Sequence, residues 1–142
     1  MATSPIFSAT GEVSSNGTTG MAKTLITAAA DVTGVSANNV IVFTAGATSG
    51  GYVERLHCQA LGTNVQTVLR VYINNGSANT TATNNSFVAE YTLPATTASA
   101  TAAIGTIIIP LNIALNPGFT ILVGLGTTVA TGWAVSAIGG KY

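Results

Sequence analysis

The residues able to do acid, base, nucleophilic or metal chemistry are few. The acids are Glu12, Asp31, Glu54 and Glu90, and the bases are Lys23, Arg55, Arg70 and Lys141. One histidine, His57, stands next to the one cysteine, Cys58. A nucleophile and its base must share a hydrogen bond. Neighbours on a strand point to opposite faces, so this pair fails that test. Leu56, Cys58 and Ala60 form the apolar set and place Cys58 in a core. Arg55, His57 and Gln59 form the more polar set on the other face.

The remaining chemistries meet similar obstacles. A serine hydrolase needs a histidine beside a serine and a carboxylate; only His57 is on offer, and no G-x-S-x-G elbow occurs. A structural zinc site needs about four nitrogen or sulfur ligands, and His57 and Cys58 diverge. No EF-hand-type calcium loop is present. Glycosidase chemistry needs two facing carboxylates, and only Glu54 and Glu90 lie on strands with a chance of meeting. The glycine-rich stretch Ala45–Gly51 lacks the lysine and the following helix of a phosphate loop. The sequence therefore leads to no enzyme, no cofactor and no metal.

Composition narrows the classes further. The chain has 142 residues, of which 6 % are charged, against about 25 % in ordinary domains. Its formal net charge is +0, so no basic field attracts a nucleic-acid backbone. The length fits one domain that buries roughly 68–70 % of its unfolded surface without disulfide or metal. The most apolar stretch, Ala102–Leu115, is interrupted by Pro110 and Asn112 and falls short of the about 20 residues of a membrane helix. No basic-then-apolar leader opens the chain.

The elements that must carry these residues have period two. Val65, Thr67, Leu69, Val71 and Ile73 alternate with Gln66, Val68, Arg70, Tyr72 and Asn74. Phe87, Ala89, Tyr91 and Leu93 alternate with Val88, Glu90 and Thr92. Such alternation puts one set on each face of a sheet. Strands are expected near 7–13, 22–28, 39–44, 52–61, 65–74, 86–93, 104–114, 119–124 and 132–138. Turns are expected at Ser49-Gly50-Gly51, Asn74-Asn75-Gly76, Asn116-Pro117-Gly118 and Gly124-Leu125-Gly126-Thr127. The biased stretches Ser77–Ser86 and Ala95–Ala103 read as exposed loops. Many short strands at even spacing predict an all-β antiparallel sandwich, a jelly roll or a barrel.

Met1–Gly20 reads as an N-terminal arm or first edge strand, and residues 21–142 as a single β-sandwich domain. Pro5, Ile6 and Phe7 would anchor the arm on a partner, because apolar groups near a chain end need somewhere to go. Glu54, Arg55, Arg70 and Glu90 would pair across a sheet or across a subunit contact. A neutral β domain avoids aggregation by closing its edges or by burying faces in a partner. The expectation is a homo-oligomer or a component of a larger shell. The rival is a carbohydrate-binding or receptor-binding module, such as a tail-fibre tip or an adhesin. Trp133, Tyr72, Tyr91 or Tyr52 would then be its stacking platform.

Five segments resemble one family. They are VIVFTAGATSGGYVERLHCQALGTN (Val40–Asn64), RVYINNG (Arg70–Gly76), FVAEYTLP (Phe87–Pro94), LNPGFTILVGLGTT (Leu115–Thr128) and GWAVSAIGGKY (Gly132–Tyr142). Together they resemble the small jelly-roll decoration, or cement, proteins of tailed bacteriophages. The resemblance implies a virion protein on the capsid exterior, made in the host cytoplasm. Its implied partner is the major capsid protein, whose joints it reinforces, commonly as a homotrimer. It implies no enzymatic role, no nucleic acid and no membrane. The chain departs from the pattern at Gly139-Gly140-Lys141-Tyr142, where an acidic residue would precede the last aromatic. It also departs in the length of the Ser77–Ser86 loop.

Overall fold

A computed structural model describes residues 6–7, 23–29 and 32–142. In chain order the strands are β1 (Ile6–Phe7), β2 (Lys23–Leu25), β3 (Val40–Thr44), β4 (Gly51–Ala60) and β5 (Thr67–Asn74). They continue as β6 (Asn85–Leu93), β7 (Ile107–Leu115), β8 (Thr120–Leu125) and β9 (Trp133–Lys141). Residues 8–13 of the first expected strand lie outside the described residues, as does the rest of the arm apart from β1. The other strands stand where alternation puts them, with shifted ends.

Two sheets form from distant parts of the chain. The first runs β1-β9-β4-β7, and β2 joins it by pairing with the other half of β9. The second runs β3-β8-β5-β6. All these strand pairings are antiparallel. Each sheet takes strands alternately from both halves of the chain, and β2 to β9 follow the strand order of a jelly roll. The expected all-β jelly-roll sandwich is therefore the observed fold.

The core lies between the sheets. Val53, Leu56 and Cys58 of β4, with Trp133, Val135 and Ala137 of β9, come from one sheet. Leu69, Val71, Ile121, Val123 and Leu125 come from the other. Every one of these side chains is fully buried. The apolar face of each strand supplies the driving force.

Turn chemistry explains the connections. The carbonyl of Asn116 accepts the Phe119 N–H at 3.1 Å, with Gly118 at φ +75°. That is the type II geometry that Pro117-Gly118 favours. Gly76 takes φ +87° while its N–H donates to Asn74 Oδ1 at 2.8 Å. The stretch Gly124 to Thr127 is not wholly a turn, however. Gly124 lies inside β8. A Cβ there would sit 2.0 Å from Asn39 Oδ1, so the glycine makes room for a crossing segment instead of bending the chain.

That segment is the described part of the β2–β3 connection, residues 26–29 and 32–39. It leaves the first sheet and comes against the outward side of the second. Ala29 donates to the Leu125 carbonyl at 2.7 Å, and Asn85 Nδ2 donates to the Thr33 carbonyl at 3.2 Å. Gly34 lies against the ring of Tyr72. Tyr72 and Leu122 point away from the sandwich core, yet both are buried.

Bulges decide which face several residues take. Opposite β9, β4 carries one extra residue, Glu54, between Val53 and Arg55. Without that residue, Val53 and Leu56 could not both point inward. Gly139 faces the bulge, and a Cβ on it would come within 2.2 Å of the Tyr52 carbonyl oxygen. Both obstructing atoms nearest that position are backbone, so they have little room to yield. Gly139→Ala is expected to cost about 2–3 kcal/mol. A lowered urea midpoint at unchanged slope is the check, and an unchanged midpoint would show that the bulge can move.

A second bulge corrects an expectation. Phe87 alternates with Ala89, Tyr91 and Leu93 in sequence, which predicts a shared inward face. The β5–β6 register slips between Val71 and Tyr72, and the extra residue on β6 is Val88. Phe87 consequently faces outward and packs on Tyr72, with ring centroids 5.6 Å apart.

Candidate functional site

The sequence-derived site residues do not converge on one surface. Pro5 lies outside the described residues. Ile6 and Phe7 form β1, opposite Lys141 and Gly140 at the end of β9. Glu54 and Arg55 form an ion pair with each other on the outward side of the first sheet. Arg70 and Glu90 lie directly opposite on β5 and β6, joined by a 2.9 Å contact from Nε to Oε1. That second pair is on the other side of the sandwich.

Both ion pairs are at least partly exposed. Glu90 retains 43 % of its side-chain exposure, and such pairs stabilise by about 0–1 kcal/mol. Their larger effect is on the surface field. Each acid is neutralised by an arginine of the same molecule, so neither sheet offers a net charge at these positions.

The possible chemical pairs are separated by the fold. Cys58 points into the core, while His57 is half-buried on the outward face, in register with Ile108 and Ser136. Burial pushes the Cys58 thiol up to about 12. A thiolate is the reactive form, so the folded protein should resist iodoacetamide at pH 8 and react only when unfolded. Rapid alkylation under native conditions would contradict this placement. The same shift sets a direction for stability. In the unfolded chain the thiol ionises near its ordinary value, whereas in the fold it stays protonated. Its contribution is complete below that value and declines as pH rises towards 12.

Glu54 and Glu90 lie in different sheets and cannot face a common substrate bond. Among the described residues, no group of three or more His, Cys, Asp or Glu side chains is placed to hold a metal ion. Among them, too, no helix is long and apolar enough to cross a membrane. The aromatic platform does not assemble either. Trp133 and Tyr72 are fully buried and present no face to a sugar. Tyr52 and Tyr91 are half-buried on different sheets.

What the surface does present is apolar side chains and strand edges. Phe87 is 44 % exposed and Val88 41 %, side by side on β6. Ile108 is 59 % exposed on β7, the outer strand of the first sheet. Leu61 and Val65 are exposed in the β4–β5 connection. Sequence reading missed Phe87 and Val88, because a bulge leaves no signature in alternation.

The end of the sandwich near Leu61 is held by a buried asparagine. Asn64 Oδ1 accepts N–H groups from Thr131 at 2.9 Å and Gly132 at 3.0 Å. Its Nδ2 donates to the Gly132 carbonyl at 3.0 Å. Its backbone exchanges hydrogen bonds with Thr96 in both directions. Three connections, β4–β5, β6–β7 and β8–β9, are tied through this residue.

The chain matches no protein-family model, no curated protein and no solved structure.

Proposed function

We propose that this chain is a virion structural protein that binds the outside of a phage head and reinforces joints between major capsid subunits. The observation that carries the reading is a jelly-roll sandwich in which, among the described residues, the two strand-borne acids are each neutralised by a neighbouring arginine. Such a surface suits broad, uncharged contact with a protein wall better than it suits catalysis or phosphate recognition. The resemblance in the five sequence segments supports the same assignment. It carries a homotrimer with it and a non-enzymatic role.

The mechanism is physical. Each bound copy covers apolar and backbone surface at a joint, and parting the joint re-exposes that surface to water. At ~25 cal/mol per Å² of apolar area, modest patches repeated over a shell add up. Linking copies in an oligomer raises the effective concentration of each remaining contact.

The test uses empty phage heads stripped of this protein. Added chain should sediment with the heads, saturate at a fixed number of copies and raise the temperature at which the heads come apart. Light scattering of the free chain should give a mass near three times 14.1 kDa. Heads that neither bind the chain nor gain stability from it would refute the proposal.

A further inference from the structure

The sandwich has four outer strand rows, and they are not equally protected. On one side of the first sheet, β1 and β2 are two and three residues long. On its other side, β7 carries Pro110, which lacks an N–H, and Asn112 at φ +53°, which breaks the extended run. In the second sheet, β3 has five residues and an irregular register. Short strands, proline and broken registers are the usual defences of an exposed edge.

β6 is different. It is nine residues long and contains no proline, lysine or arginine. Among the described residues it pairs with β5 alone. Past the Val88 bulge, Ala89–Leu93 pairs with β5 in unbroken register. Its one charge, Glu90, is held by Arg70. The exposed side chains of Phe87 and Val88 lie at the start of this regular run.

We infer that the Ala89–Leu93 edge of β6 takes up an extended, uncharged segment of the capsid shell as a fifth strand of the second sheet. A row of unpaired backbone donors and acceptors is matched by another strand and by little else. With Glu90 already neutralised, a charged segment would gain no partner on this edge and would lose water. Phe87 and Val88 offer cover to an apolar residue of the incoming chain. The inference rests on the proposed function and names the contact through which it acts.

The test again uses stripped empty heads. Val88→Lys and Thr92→Lys both place a lysine on β6 at exposed positions. Each should weaken head binding by about tenfold or more, because a lysine on an edge must be desolvated by an incoming strand. Ala114→Lys, at an exposed position on the protected β7 edge, should leave binding unchanged. All three variants should keep the wild-type circular dichroism. Hydrogen exchange supplies the backbone readout: alternate amides of Ala89–Leu93 should slow on head binding.

The failures are distinguishable. If wild type binds heads and both β6 variants bind equally well, the edge assignment falls while the function stands. Unchanged exchange in Ala89–Leu93 on binding has the same consequence. If wild type does not bind heads, both fall together. A free chain of twice the monomer mass that Val88→Lys returns to monomer would also overturn the assignment, in favour of β6 pairing with a second copy.

Discussion

Trp133→Ala is expected to lower the stability of the fold by about 3–5 kcal/mol, the range for deleting a large buried aromatic. Trp133 begins β9 and is fully buried in the core cluster. It pairs in register with Ala60 of β4 and with Leu25 of β2. Removing the indole leaves a cavity among strands fixed on both sides, so the walls cannot collapse into it. A loss of this size consumes much of the margin of a typical domain.

A second substitution at the same position separates packing from polarity. Trp133 Nε1 is buried with no hydrogen-bond partner among the described residues. An unsatisfied buried donor costs about 1–3 kcal/mol. Trp133→Phe removes that donor and leaves a smaller void, so its loss should be well under half that of the alanine variant. Urea unfolding followed by circular dichroism measures both, since the fluorophore is gone. Equal losses in the two variants would overturn this expectation.

The next largest effect belongs to Asn64→Ala, at about 3 kcal/mol, or a fall of roughly 10 °C in melting temperature for a chain of this size. The side chain is buried and bridges connections 68 residues apart in sequence. Alanine strands the N–H groups of Thr131 and Gly132 at once, while the Gly132 carbonyl keeps the Leu61 N–H. Asn64→Asp keeps the acceptor and loses the donor, and it sets a carboxylate oxygen against the Gly132 carbonyl. When protonated, that carboxyl can donate as the amide did. The aspartate variant should therefore approach wild-type stability at low pH and lose it as pH rises. Calorimetry at two pH values decides this, and a pH-independent deficit would argue against the Gly132 contact.

These effects also show how far the sequence could be read. Alternation in Thr67–Asn74 and Trp133–Ala137 located the strands and their inner faces, because one buried face writes a period of two into the residue types. Asn116-Pro117-Gly118 specified its own turn, since the backbone angles of Pro and Gly are local properties. The divergence of His57 and Cys58 followed from strand geometry alone. The scarcity of charge, and with it the case against phosphate recognition, was fully present in composition.

Other features depended on contacts between distant residues. Asn64 sits in a loop-like stretch of sequence, and only Thr131 and Gly132 make it a buried tie. Gly139 and Gly140 fall beyond the strand expected at 132–138, yet they belong to β9, where Gly139 leaves room for the bulge of β4. Phe87 changed face through one extra residue in a register set by β5. The pairing of Arg70 with Glu90 and of Glu54 with Arg55 placed the charges on opposite sides of the sandwich. The sequence by itself determined the strands, most of their faces and the neutrality of the surface, since these are local or additive. Tertiary structure alone decided strand order, the bulges and, among the described residues, the long β6 edge that pairs on one side, since each arises where residues remote in sequence compete for the same space.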